Sequence, residues 1–340
     1  MHRKVTSHDV ARAAGVSRAT VSYVLNGRSA QSISPATRER VLKAAEDLGY
    51  TPSAAARTLR RGRSDLVLML LPPEPLGRAL AMVLDAASDW VERQGLRLIA
   101  HRLPSRGGAV DLVRSLAPAA LILTTPLGDA ELEALRAAAG IPVATMQGQL
   151  ADPNAPDLGI GGLQITHLAS AGHRRIGVAV PADPSYGWRV EVRLAAIREA
   201  CGRLGLPHPT VEPMSLSPES AAPIIERWRR GPDPVTAACG FDDEYAFALL
   251  AGLAAHGLSA PADLAVIGAE DIPLAGLAVP PLTTVRVDAR RLGERFAQLA
   301  TAPLSGGAAG QAEEAQPPVG KTAAADQMLP PATLVRRGSA

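Results

Sequence analysis

The sequence predicts an α/β protein in two parts, a small all-α three-helix head followed by a two-lobed parallel α/β body. Three observations carry this expectation. Over the first 50 residues, short apolar stripes at helical spacing are punctuated by capping residues and glycines. From Asp65 onward, apolar strand-like runs alternate with amphipathic helices. Charge divides at the same place: the first 63 residues hold twelve Lys and Arg against four Asp and Glu, a net +8, leaving −6 for the rest of a chain that totals +2. The 340 residues suit two or three cores at roughly 100–200 residues each.

Each head element has its own signal. Thr6 caps a first helix with Asp9 as the capping-box acid, Val10, Ala11 and Ala14 form its apolar face, and Gly15 ends it. Ser17 caps a second helix, in which Val21, Val24 and Leu25 face inward before Asn26-Gly27 close it. Two short helices around a glycine-containing turn form a helix-turn-helix, whose second helix fits the major groove of B-DNA. A third helix starts at Ser34-Pro35 and is expected to bury Val41, Leu42, Ala45 and Leu48. The second helix then presents Arg18, Ala19, Ser22 and Tyr23 outward. Arg18 can donate twice to guanine, Ala19 can touch a thymine methyl, and Ser22 and Tyr23 can meet phosphate or base.

After Tyr50-Thr51-Pro52, the stretch Ser53 to Arg63 is Ala-rich, with a capping Ser, several arginines and one large apolar residue, Leu59. So short a helix is marginal in water and forms when DNA and a partner copy hold it. Leu59 can wedge into the minor groove while Arg57 and Arg60 meet phosphates. A plain interdomain linker is the alternative.

The run Val5-Thr6, Asp9-Val10-Ala11, Ala14-Gly15-Val16-Ser17, Thr20-Val21-Ser22, Leu25-Asn26-Gly27, then Thr37-Arg38, Val41, Ala44-Ala45, Leu48-Gly49-Tyr50, Pro52, Ala56 and Leu59, resembles the head of the lactose-repressor (LacI/GalR) family. The resemblance implies a sequence-specific transcriptional regulator, a repressor that binds a pseudopalindromic operator as a homodimer or tetramer. The DNA-contacting set it implies comprises Thr6, Ser17, Arg18, Ala19, Thr20, Ser22, Tyr23 and Asn26 in the head, with Ala56, Arg57, Leu59 and Arg60 in a hinge helix. At Tyr23 the family often has Arg. The expected organisation is a DNA-binding domain at 1–51, a hinge at 52–63 and a body at 64–340.

In the body, strand-like runs at 66–71, 96–100 and 120–123 alternate with helical stretches at 76–94, 110–116 and 130–139, and the pattern resumes with strands at 176–180 and 262–267. Such repetition implies parallel sheets covered on both faces, in two lobes, with a ligand cleft beyond the strand C-termini. The segments Ala171-Gly172-His173-Arg174-Arg175-Ile176, Phe241-Asp242-Asp243, Ile267-Gly268-Ala269-Glu270-Asp271 and Pro280-Pro281-Leu282-Thr283-Thr284-Val285 resemble the same family's effector domain, itself similar to periplasmic sugar-binding proteins. On that pattern Arg193 falls where an arginine holds sugar hydroxyls, Asp242 where an asparagine is usual and Glu270 where an aspartate is usual. Asp157-Leu158 and Pro72-Pro73-Glu74-Pro75 also depart from it. Arg193, Asp242 and Glu270 with Tyr186 and Trp188 supply the forked donor, acceptors and aromatic faces of an effector site for a sugar or derivative. A structural ion pair among Arg193, Asp242 and Glu270 is the other reading.

Residues 305–327 are Gly, Ala, Pro, Gln and Glu with almost no large apolar residue, the composition of a flexible insertion, after which 328–335 resemble a closing strand. No cofactor or metal is expected: Cys201 and Cys239 are far apart and read as buried thiols. His173 reads as a structural turn residue. No Walker-type loop or nucleophile elbow points to an enzyme. No apolar run approaches the ~20 residues of a membrane span, and the N-terminus lacks a secretion signal, so a cytoplasmic location is expected. A solute-binding receptor is the competing class and needs export; a body that only dimerises is the other.

Overall fold

The computed structural model describes residues 5–25, 33–50, 64–103, 108–125, 127–145, 159–305 and 332–340. The chain divides into two compact units, Met1–Asp65 and Leu66–Ala340.

The first unit holds α1 (Ser7–Ala14), α2 (Arg18–Leu25) and α3 (Pro35–Asp47). Its caps follow the sequence. The Thr6 backbone N–H donates to Asp9 Oδ2 at 3.0 Å, and Gly15 closes α1 in the left-handed region at φ 64°, which glycine adopts without a Cβ clash. Thr20 N–H donates to the Ser17 hydroxyl at 3.1 Å and Thr37 N–H to that of Ser34 at 3.2 Å. The core is thin, with Val10, Val21, Val24 and Val41 as its large members and Ala11, Ala14, Ala44 and Ala45 around them. Burying each valine contributes about 1.5–3 kcal/mol. One expectation fails here: Leu42 and Leu48 are 48% and 36% exposed. The inward stripe of α3 is Val41, Ala44 and Ala45, the i, i+3, i+4 set, and Leu42 lies about 100° around the helix from Val41.

The second unit contains two sheets. The four-stranded sheet has order β2-β1-β3-β4, with β1 Leu66–Leu71, β2 Arg97–Arg102, β3 Ala120–Leu123 and β4 Val143–Thr145, all parallel. Helices α4 (Arg78–Arg93), α5 (Ala109–Leu116) and α6 (Asp129–Ala139) connect these strands. The expectation of strands covered on both faces holds for β1 and β3. It fails for β2, an edge strand with five of six residues exposed; an edge position explains its Arg-Leu-Ile-Ala-His-Arg sequence.

The six-stranded sheet has order β10-β9-β8-β7-β5-β6. Its strands are β5 Ile176–Pro181, β6 Thr210–Met214, β7 Ala237–Gly240, β8 Ala265–Glu270, β9 Thr283–Arg286 and β10 Thr333–Val335. All pairs are parallel except β9 with β10. Helices α7 (Ile160–Ser170), α8 (Gly187–Arg203), α9 (Pro218–Arg229) and α10 (Asp243–Ala255) cover it. The last helix, α11 (Ala289–Ser305), follows β9 yet packs against α4, β3 and β4. The first lobe is thereby completed by a segment from the far end of the chain. Contact with α4 is close enough that a Cβ on Gly293 would overlap the Val83 backbone, and Phe296 is fully buried in that core. Cys201 and Cys239 are buried free thiols. Residues 306–331, including most of the expected insertion, lie outside the described residues.

Candidate functional site

Two places among the described residues are candidate functional sites. The first is α2. Arg18 and Ala19 are exposed, Ser22 and Tyr23 half-buried, and Val21 and Val24 turned into the core. Thr6 and Ser17, both expected at DNA, are exposed and hold helix caps, and the Ser17 and Thr20 hydroxyls are 2.9 Å apart. Asn26, Ala56, Arg57, Leu59 and Arg60 lie outside the described residues.

The second is a cleft of about 150 Å³ in the second unit, assembled where strand C-termini of both sheets meet, the usual ligand position in such sheets. The first sheet's lobe contributes Pro72 and Glu74 after β1, Leu80 and Val83 on α4, Thr124 after β3 and Leu292 on α11. The other contributes Trp188, Arg189, Val192 and Arg193 on α8, with Phe241, Glu270 and Val287 at the ends of β7, β8 and β9. A short turn at Pro184–Tyr186, capped by Asp183 accepting from Ser185 N–H at 2.9 Å, launches α8. On that helix Trp188 with Val192, and Arg189 with Arg193, are i, i+4 pairs that share a face.

Arg189 is the hub of the cleft. Its guanidinium lies 3.5 Å from Glu270 and 3.9 Å from Glu74, and 5.1 Å from the centre of the Phe241 ring. Arg193 is buried, donates to the Phe241 carbonyl at 2.6 Å and sits 5.2 Å from the same ring. Glu74 is fully buried, and neither of its oxygens accepts a hydrogen bond of good geometry among the described residues. Burial raises its carboxyl pKa against the smaller opposing effects of its own backbone N–H and Arg189. Burial also raises Glu270, with Asp242 adding to the shift and Arg189 opposing it. Glu270 and Asp271 occupy positive φ, 96° and 56°, a conformation that costs roughly 1–3 kcal/mol per non-glycine residue. Asp271 is fixed there by Arg286 at 2.6 Å and Arg337 at 2.7 Å.

Of the five residues expected at an effector, Arg193, Trp188 and Glu270 line the cleft, while Asp242 and Tyr186 are not among its lining residues. Asp242 is buried and caps α10 by accepting from Tyr245 N–H at 3.0 Å. The Tyr186 ring packs edge-on against Phe241, 5.9 Å between centroids. Glu270 pairs with Arg189 at 3.5 Å, and Arg193 also acts as an opposing charge on the carboxyls of Asp242 and Glu270. Glu74, Arg189 and Phe241 were not singled out by sequence reasoning. Arg189 had one signal, its position four residues before Arg193, and Glu74 had another, its place in the Pro-rich departure after the first strand. His173 follows the turn at Ala171-Gly172, and its ring nitrogen meets the Thr236 hydroxyl at 2.9 Å.

Residues 6–53 match the bacterial regulatory proteins of the lacI family, and residues 165–340 match the periplasmic binding protein-like domain. The chain is 32% identical over 327 residues to the transcriptional regulator CelR of Thermobifida fusca, spanning 89% of this chain and 93% of CelR. This chain belongs to the lacI family. It is likewise 31% identical over 304 residues to the transcriptional repressor PurR of Vibrio vulnificus, covering 85% of this chain and 89% of PurR. A crystal structure of the Lac repressor dimer bound to operator and the anti-inducer ONPF shares the fold, with a TM-score of 0.76, 24% identity and 99% of both chains covered. As a lacI-family member, the protein is a DNA-binding transcriptional regulator, and its curated relatives are regulators rather than enzymes. Among the described residues no helix is long and apolar enough to cross a membrane, and no group of three or more His, Cys, Asp or Glu is placed to hold a metal ion.

Proposed function

We propose that this lacI-family regulator is a non-catalytic cytoplasmic repressor that binds a pseudopalindromic operator as a homodimer and senses a small molecule in the body cleft. The observation that carries the DNA half is α2: its core-facing valines leave Arg18 and Ala19 exposed at the N-terminal end, where a recognition helix meets base edges. Arg18 reads guanine, Ala19 a thymine methyl, and Ser22 and Tyr23 flank them. Thr6, Ser17 and Thr20 meet phosphates from the helix caps. In this reading the unit boundaries of 1–51, 52–63 and 64–340 separate reader, hinge and sensor. Asn26 and the hinge residues Ala56, Arg57, Leu59 and Arg60 complete the contact set.

The sensing half is supported by a cleft that holds a fully buried carboxylate, Glu74, whose oxygens accept no hydrogen bond among the described residues and whose ion pair with Arg189 is as long as 3.9 Å. A body that served only to dimerise would have no use for it, because a buried carboxylate so weakly paired destabilises the fold. Glu270, Arg193 and Trp188 contact the ligand directly in this reading, and Asp242 and Tyr186 act by holding α10 and Phe241.

Fluorescence anisotropy of the full chain at fixed salt tests the DNA half, with pseudopalindromic duplexes from the DNA flanking its gene against random duplex. Salt is held fixed because phosphate contacts dominate affinity. Operator preference of about 10³-fold or more is expected. Arg18→Ala should relax discrimination at one base position by about 1–3 kcal/mol, and Leu59→Ala should weaken operator binding far more than random binding. Equal affinity of the wild type for operator and random DNA would contradict the reading.

A further inference from the structure

The chemistry of the cleft is more specific than its family membership. Its polar groups gather about one guanidinium, Arg189, while Pro72, Leu80, Val83, Val287 and Leu292 make much of the remaining wall. Beside these apolar residues the polar lining is Glu74, Thr124, Trp188, Arg189, Arg193 and Glu270, with its charges on the Arg189 side of the cleft.

Charge narrows the class further. The groups acting on Glu74 and Glu270 include the carboxylates of Asp183, Asp242 and Asp243 and the guanidiniums of Arg102, Arg189 and Arg193. Arg189 is shared between two of the acids, Glu74 and Glu270, and is nearer to Glu270. The weakest pairing in the site is that of Glu74: its two buried oxygens accept no hydrogen bond among the described residues, and the guanidinium of Arg189 stands 3.9 Å away, beyond hydrogen-bond reach. A buried carboxylate is stabilised most by a charged donor. The Trp188 indole N–H is also buried without a partner and can meet a single acceptor on a bound molecule.

We propose that the cleft takes a small organic cation, a primary ammonium on a compact apolar body, with the ammonium donating to Glu74. The apolar body lies against Leu80, Val83 and Leu292. This inference rests on the reading of the cleft as the ligand site, and it replaces the sugar expected from sequence with a ligand of opposite character.

Isothermal titration calorimetry of the full chain with matched probes decides it: phenethylamine, its alcohol counterpart 2-phenylethanol, and glucose. Phenethylamine is expected to bind at least about tenfold more tightly than either, the size of one charge-assisted buried hydrogen bond, and E74Q is expected to abolish that preference. Equal or tighter binding of 2-phenylethanol or glucose, an unchanged preference in E74Q, or no heat from phenethylamine at millimolar concentration each overturns the proposal. The wild-type comparison among probes stands even if E74Q fails to fold. Operator anisotropy with the same probes keeps the two readings apart. Phenethylamine that binds without moving operator affinity supports the ligand class and removes the effector role. A shift produced by glucose alone keeps the effector role and overturns the ligand class.

Discussion

The head and the body of this regulator store their information at different distances. Head residues act on neighbours three or four positions away: Asp9 on Thr6, Ser17 on Thr20, Ser34 on Thr37. Body residues act across the chain: Arg189 on Glu270 and on Glu74, Gln164 on the carbonyls of Gly240 and Gly268, Arg337 on Asp271. A unit built from local pairs can be altered one helix at a time. A site built from distant segments responds to the packing of the whole lobe.

The most severe break is expected in the head. Val21 is fully buried in a core of eight small side chains, and Val21→Asp places an unpaired carboxylate there at a cost of several kcal/mol. Operator binding should vanish while the calorimetric transition of the body stays in place; a shared collapse would show that the units do not melt independently. In the body, Phe296→Ala should cost about 3–5 kcal/mol, because Phe296 fills the core between α11 and α4. Its effect should appear in the body transition alone, and a loss below about 1 kcal/mol would show that the lobe does not depend on the returning helix.

A third experiment uses pH. Asp243 is fully buried, accepts from Ile272 N–H at 2.7 Å and from the Thr284 hydroxyl, and burial pushes its pKa up to about 7. With the folded value above the unfolded one, its contribution is complete below the ordinary carboxylate range near pH 4 and is lost as pH rises through about 7. The loss is at most about 4 kcal/mol. Asp243→Asn keeps an acceptor for Ile272 and gives Thr284 a donor, so it should flatten Tm against pH between 4 and 7 and exceed the wild type at pH 8. An unchanged slope would place the titration elsewhere. The smallest effect belongs to a local pair: Thr6→Ala should cost about 1 kcal/mol of head stability, seen as a shift in denaturant midpoint, with the body unmoved.

The same contrast governs what could be read from the sequence. The three head helices were legible because Thr6, Gly15, Ser17 and Ser34-Pro35 mark their ends chemically. Leu42 and Leu48 were misplaced because a hydrophobic residue next to a stripe cannot be told from one within it by composition alone. In the body, runs such as Leu66–Leu71 announced buried strands. The edge strands did not: β2 carries two arginines and a histidine, and β6 contains Pro213, which an edge position tolerates. In the cleft, Arg193, Trp188 and Glu270 were reached by resemblance. Glu74 and Arg189 acquire meaning only when two sheets bring segments more than 100 residues apart within 4 Å, and no local pattern encodes that.

The central claim is that one molecule couples a DNA reader to a ligand cleft. It is tested most directly by measuring the affinity of one cleft ligand twice, for free protein and for the operator complex, beside operator affinity with and without that ligand. Coupling requires the two ratios to be equal, and a factor of about 5–150 is expected. A ligand that saturates the cleft and leaves both ratios at one would contradict the account.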